Sequence, residues 1–393
     1  MTHFGKAVRT LAQQMTTQPV MKHPFSTALA LIALVSTPAL AADSTWTSTV
    51  SQSWATSGNW SAGLPGANVG AIFADGSVQH TVDISSGQFT TMGFSFSFFA
   101  GGSAFDIIES GVGNGFNLRG GGTPNGILNN DDNTELFEAP IALFSANGFT
   151  GGGASQTFNA AAGGLTFSGR YANGSLPTIN NNAGTITVTG GFNTTIGTTG
   201  RGDIVGGGGL IKNGAGTLTL GGTNANTYSG NTVLNQGVLT VAKNGAIGGA
   251  LVFNGGILNL GGLNQNIGTP SLTGNSTLDF TGNSLPGHLL LPPGSNTVSF
   301  PDSHSVAWTA GTTLSILDWN ANEKLRFGAS SSALTAAQLS EIVFADQPGS
   351  PTAQIDPNGY VTPAPVPEPS TAALGLLGGC ALAVSFVARR RKV

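Results

Sequence analysis

Four carboxylates fall close together at Asp131, Asp132, Glu135 and Glu138, the one cluster in the chain whose residue types and spacing could do chemistry. Hard oxygen ligands of this kind suit calcium, and paired carboxylates hydrolyse glycosidic bonds. The cluster lacks the glycine-aspartate periodicity of calcium-loaded β-rolls, so it reads as a solvated acidic loop. His80, His288 and His304 lie too far apart to form a metal motif, and no H-E-x-x-H, C-x-x-C or G-x-S-x-G string is present. The run Gly206 to Gly209 lacks the Gly-Lys-Ser/Thr ending of a phosphate loop and reads as turn material. Arg201-Gly202-Asp203 is an integrin-type string in a chain rich enough in glycine to contain it by composition alone. No catalytic residue, metal or other cofactor is expected.

Charge points the same way. Only 8% of the residues are charged, against about 25% in an average soluble domain. Between residues 42 and 365 there are 17 acidic and 7 basic residues, the basic ones scattered singly. That balance excludes a nucleic-acid partner, whose phosphates demand clustered Lys and Arg. Cys380 is the only cysteine and lies near the C-terminus, so residues 42–365 can form no disulfide.

What remains is a pattern. Gly216-Thr217-Leu218-Thr219-Leu220 recurs as Gly237-Val238-Leu239-Thr240-Val241, Gly256-Ile257-Leu258-Asn259-Leu260 and Ser276-Thr277-Leu278-Asp279-Phe280. Earlier copies are read at Gly164-Leu165-Thr166-Phe167 and Gly184-Thr185-Ile186-Thr187-Val188, with weaker ones near Val82 and Phe105. Two apolar residues flanking a polar one mark a short strand with one buried face. Such strands at a period near twenty, separated by Gly/Asn turns, predict a solenoid whose coils stack about 4.8 Å apart. The predicted core is Leu218, Leu220, Leu239, Val241, Leu258, Leu260, Leu278 and Phe280. Asn213, Asn235, Asn254 and Asn275 are expected at corners, where stacked carboxamides form ladders.

The stretch from Gly209 through Lys212-Asn213-Gly214-Ala215-Gly216-Thr217-Leu218-Thr219-Leu220 and Asn226-Thr227-Tyr228-Ser229-Gly230 to Val241 resembles the autotransporter-associated β-strand repeat. The resemblance implies an all-β fold, a right-handed parallel β-helix, with no autotransporter barrel following it. The repeat region is expected over 42–290, clearest over 164–282. Trp46, Trp54 and Trp60 are read as an N-terminal cap. Residues 291–347 are expected to form a β-rich C-terminal cap, with a strand around Leu314–Leu317 and a short helix near Leu334 to Ile342 capped by Thr335. The Pro/Gly/Ala-rich stretch 348–365 reads as a flexible linker.

Both ends carry targeting signals. Residues 1–41 read as a signal peptide: Lys22 precedes an apolar run that ends at Ala39-Leu40-Ala41, a signal-peptidase pattern, with Met1 or Met21 as the start. At the other end, Val366-Pro367-Glu368-Pro369 is followed by an apolar run from Thr371 to Ala388 and then Arg389, Arg390, Arg391 and Lys392. The apolar run makes a transmembrane helix of about 27 Å, oriented by the basic cluster. This tripartite tail, residues 366–393, resembles a PEP-CTERM sorting signal. The resemblance implies recognition by an exosortase and cleavage near Pro367-Glu368-Pro369. The expected life history is thus export, a precursor anchored in the inner membrane, and release to the cell surface or extracellular matrix. Signal peptidase and exosortase are the processing partners and extracellular polysaccharide is the ligand class expected. The function expected is structural or adhesive and non-catalytic; a carbohydrate-active β-helix enzyme or carbohydrate-binding protein is the alternative.

Overall fold

A computed structural model describes residues 43–366, apart from 67, 75–76, 78, 86–87, 92, 97–102, 111–114, 120–125, 144–153, 169–176, 199 and 281–295. The expected signal peptide and all of the tail beyond Val366 lie outside the described residues.

The chain is a parallel β-helix with three faces. The first is a ten-stranded sheet running from Ser44–Trp46 to Pro270–Leu272. The second has eleven strands, from Thr81–Asp83 to Ile342–Phe344. The third is split into two five-stranded sheets, one from Gln88–Thr91 to Ile204–Gly206 and one that starts at Gln265–Asn266. Between those two sheets the third side is irregular, yet its backbone still stacks: Thr227 N donates to Ile204 O at 2.9 Å and Ser229 N to Gly206 O at 3.0 Å.

Each strand is short, two to five residues, because the alternation that makes it soon gives way to a corner, often at a glycine or asparagine. Leu218, Leu239, Leu258, Leu278 and Ile316 are directly aligned across five coils of the second face, and all are fully buried. Leu220, Val241, Leu260 and Phe280 are buried beside them. Burying each such side chain contributes about 1.5–3 kcal/mol, which is how strands this short persist.

Coil length is not constant. On the first face Thr157, Thr187, Ile211, Val233, Val252 and Ser271 are aligned partners, separated by 30, 24, 22, 19 and 19 residues. This corrects the sequence reading of two early repeats. Leu165–Phe167 lies on the second face, whereas Ile186–Gly190 lies on the first face of the next coil, with Ile179–Asn182 of the third face between them. In a coil of thirty residues a step of about twenty leads to a different face.

The asparagine file also differs by one position. Asn235 Nδ2 donates to Asn213 Oδ1 at 2.6 Å and Asn254 Nδ2 to Asn235 Oδ1 at 2.8 Å, but the next rung is Thr273, whose Oγ1 donates to Asn254 Oδ1 at 2.9 Å. Register decides this, since Lys212, Leu234, Phe253 and Leu272 are aligned and the residue after each forms the file. Asn275 instead accepts from Thr313 N at 2.8 Å.

At the N-terminal end Trp46, Trp54 and Trp60 form one buried cluster, with ring centroids 5.0 Å apart for Trp46 and Trp60 and 4.6 Å for Trp54 and Trp60. At the other end a helix, α1 (Ala336–Glu341), starts at Thr335, whose Oγ1 accepts from Gln338 N while Gln338 Oε1 accepts from Thr335 N. The stretch 348–365 is not a tether. Ala353–Ile355 and Tyr360–Pro363 form an antiparallel hairpin whose second strand pairs with Lys324–Phe327 and buries Val361. The hairpin closes because Asp356 Oδ1 accepts from Asn358 N and Tyr360 N, both at 2.8 Å, and Gly359 takes φ +83°.

Candidate functional site

The acidic cluster is not a solvated loop. Glu135 begins the strand Glu135–Phe137 with its side chain directed inward, as Phe137's is, in an interior file with Leu165, Thr194 and Leu218. Its Oε2 accepts from Phe105 N at 2.6 Å, while Oε1 has no hydrogen-bond partner. Burial pushes its carboxyl up to about 8, against the opposing Phe105 hydrogen bond and with the help of the Asp131 charge. Glu135 is therefore uncharged at neutral pH. Asp131 is buried too, and its Oδ1 is taken by Asn133 N at 2.9 Å and Asn133 Nδ2 at 2.7 Å. Asp132 is exposed and Glu138 half-buried. These four carboxylates thus share neither one surface nor one open groove. Among the described residues no group of three or more His, Cys, Asp or Glu is placed to hold a metal ion.

The other candidates are dispersed. His80 packs on the Phe105 ring at 4.8 Å, and His304 Nδ1 contacts Asp302 Oδ1 at 2.7 Å in solvent, a hydrogen bond that holds the Asp302 carboxyl below its usual range. His288 lies outside the described residues. Within Arg201-Gly202-Asp203 the acidic member is buried, paired with Arg201 Nη2 at 2.7 Å and accepting from Thr178 N at 3.0 Å. That string is consumed by a structural ion pair.

Two buried lysines were not anticipated as sites. Lys212 ends an interior-facing alternation, and its Nζ donates to Asn213 O at 2.9 Å, Gly214 O at 2.8 Å and Gln236 O at 3.1 Å. Its three donors meet three corner carbonyls, and Gly237 must be glycine because at φ +73° a Cβ there would come within 2.4 Å of Gly214 O and 2.6 Å of Gly216 O. Lys243 Nζ donates to Gly202 O at 2.7 Å and Asn226 Oδ1 at 2.8 Å. Burial pulls both lysines down to about 8, with Asp203 opposing the shift at Lys243. The signal for Lys212 was its place in the repeat motif; for Lys243 no sequence signal existed.

The outer surface is more regular than these sites. On the second face Thr166, Thr195, Thr219, Thr240, Asn259 and Asp279 are aligned coil by coil in one row, half-buried except for Thr240, which is buried. On the first face Thr157 and Thr187 continue into Ile211, Val233, Val252 and Ser271, all half-buried. The parallel register sets the spacing of both rows at the coil repeat, about 4.8 Å.

Residues 210–241 match the family model of the passenger-associated-transport-repeat, and residues 365–392 match the PEP-CTERM protein-sorting motif. The chain carries both. The repeat match covers Lys212, the Asn226–Gly230 turn and the strands Thr217–Leu220 and Val238–Val241. The sorting motif identifies an exported protein whose membrane-anchored precursor is processed by an exosortase. Neither matched family is catalytic. No curated protein and no solved structure matches the chain. Among the described residues no helix is long and apolar enough to cross a membrane. The expected spanning segment, with Pro367, Glu368, Pro369 and Arg389 to Lys392, and the expected leader site at Ala39 and Ala41 lie outside them.

Proposed function

We propose that this exosortase-sorted chain is a non-catalytic structural or adhesive rod of the cell surface or extracellular matrix, and that its flat faces engage extracellular polysaccharide. The observation that carries this reading is the aligned row of half-buried Thr166, Thr195, Thr219, Asn259 and Asp279, interrupted only at the buried Thr240. A row of hydroxyls that ends in a carboxamide and a carboxylate offers repeated donors and acceptors to a polymer that repeats as well, and many weak contacts along one chain sum to avidity. The neighbouring apolar row of Ile211, Val233 and Val252 offers the methyl-rich strip against which the C–H faces of sugars pack. Two ionisable carboxylates in an open groove would favour a glycosidase; here Asp131 and Glu135 are buried and Glu135 is neutral.

The test is co-sedimentation of the exported protein with extracellular polysaccharide from the native host. The double variant Thr195→Lys, Thr219→Lys should bind at least about tenfold more weakly, a loss of about 1.4 kcal/mol, with an unchanged circular dichroism spectrum. Equal binding by both proteins would remove the second face from the reading.

A further inference from the structure

The body has no thiol with which to tie one coil to the next, because Cys380 sits in the sorting tail. It does bring an amine and a carboxamide together out of water. Lys243, Asn226 and Asp203 are all buried, and the Lys243 Nζ stands 2.8 Å from Asn226 Oδ1. That oxygen also accepts the Ile204 N–H at 2.9 Å, and Asn226 Nδ2 donates to Ala246 O. Lys212, the other buried lysine among the described residues, has only main-chain carbonyls as partners.

We propose that Lys243 and Asn226 are joined in the mature protein by an intramolecular isopeptide bond between Nζ and Cγ, formed with release of one ammonia.

The surroundings supply what the reaction needs. Nucleophilic attack requires an uncharged amine, and burial pulls Lys243 down to about 8, so a neutral fraction exists near neutral pH. The carbonyl must be polarised, and the Ile204 N–H points at the oxygen on which negative charge develops when Nζ adds to Cγ. The balance is simple. Nζ–Cγ forms, Cγ–Nδ2 breaks, one proton passes from Nζ to Nδ2 at the tetrahedral centre, and ammonia departs; no oxidant or reductant is consumed. Burial also keeps out the water that would hydrolyse the intermediate. A thermodynamic pull acts in the same direction. Linkage removes the cost of keeping the Lys243 ammonium buried while the Arg201–Asp203 ion pair is retained.

The bond would link the Asn226–Gly230 turn to the segment that follows Val238–Val241. It acts where the third face carries no regular strand, between Ile204–Gly206 and Gln265–Asn266. The inference is independent of the polysaccharide reading.

Tandem mass spectrometry of protein purified from the native host tests it. The expected product is a branched peptide joining the Asn226 segment to the Lys243 segment, lighter than the two unlinked peptides by one ammonia. The branch should disappear completely in Lys243→Met and persist in Lys212→Met. Linear peptides carrying an intact Asn226 and a free Lys243 in the folded protein would overturn the proposal. So would ammonia loss without a branch, which marks a succinimide at an Asn-Gly step such as Asn213-Gly214 or Asn254-Gly255.

Discussion

Glu135 makes stability depend on pH in a direction opposite to that of an ordinary paired carboxylate. Its folded value of about 8 lies above the ordinary 4.5 because burial disfavours its charged form more than the Phe105 hydrogen bond favours it. Below the unfolded value both states carry the proton and the buried site costs nothing in ionisation. As pH rises, the unfolded chain releases its proton while the folded chain holds it, so stability falls until the folded group ionises as well. Each pH unit in that window corresponds to ~1.4 kcal/mol. The full window is therefore worth about 4–5 kcal/mol, of which about 2.5 kcal/mol falls between about pH 5 and pH 7. Lys212 and Lys243 have lowered values and act in the adjacent window, where stability falls as pH falls from their unfolded value of 10.5 towards about 8. Comparison with Glu135→Gln removes them from the reckoning, because both proteins share them. Urea midpoints with unchanged m-values should give a wild-type stability that drops with pH relative to the variant. Parallel pH profiles for the two proteins would refute the buried, neutral Glu135.

Two further predictions concern the repeat and the tail. Leu218→Ala should cost about 2–5 kcal/mol, since it removes a fully buried side chain aligned with Leu239 and opens a cavity. Thr219→Ala, one residue away but facing outward, should stay within about 0.5 kcal/mol; chemical unfolding of both variants checks the inward-outward assignment, and equal effects would contradict it. Replacing Pro367 and Glu368 by alanine should leave an uncut membrane-bound precursor, and intact-mass analysis of host protein decides that, the reading failing if the wild-type chain also keeps its residues through Val393.

Much of the fold was legible wherever alternation and coil length stayed regular. Leu218, Leu239, Leu258 and Leu278 could be aligned by eye because the coils there hold about twenty residues, and the Thr335 cap was legible because Gln338 completes a local box. The early coils were not, since thirty-residue turns with three strands look locally like twenty-residue turns with two. Asn275 was assigned the rung that Thr273, two residues earlier, holds, because spacing alone cannot tell which residue follows the strand in register. The acidic cluster was misread through composition, although parity held the answer: Phe137 must face inward, so Leu136 faces out and Glu135 in. The hairpin near the C-terminus was hidden by its prolines and alanines, yet Asp356-Pro357-Asn358-Gly359 is a turn signal by itself. Burial of Lys243 depends on coils brought together from residues 202 to 265, and no local pattern reports it.

The two ends of the solenoid differ from its middle in a way that bears on how copies can meet. Inside the stack the described strands of all three faces pair in parallel, and a parallel edge left open would template a further coil from another chain. At the C-terminal end the third face finishes instead with the antiparallel strands Tyr360–Pro363 and Ala353–Ile355, while Ile342–Phe344 closes the second face and meets Thr352 through an antiparallel bridge at Val343. At the N-terminal end Trp46 bridges antiparallel to Trp60 beside the buried tryptophan cluster. Where they lie, these antiparallel segments offer no parallel register to another copy's coil, whereas Ser53 bridges Asp83 in parallel at the start of the second face. Under the proposed structural role, contacts with matrix or with neighbouring rods would use the flanks, where the aligned rows of threonine, asparagine and valine lie.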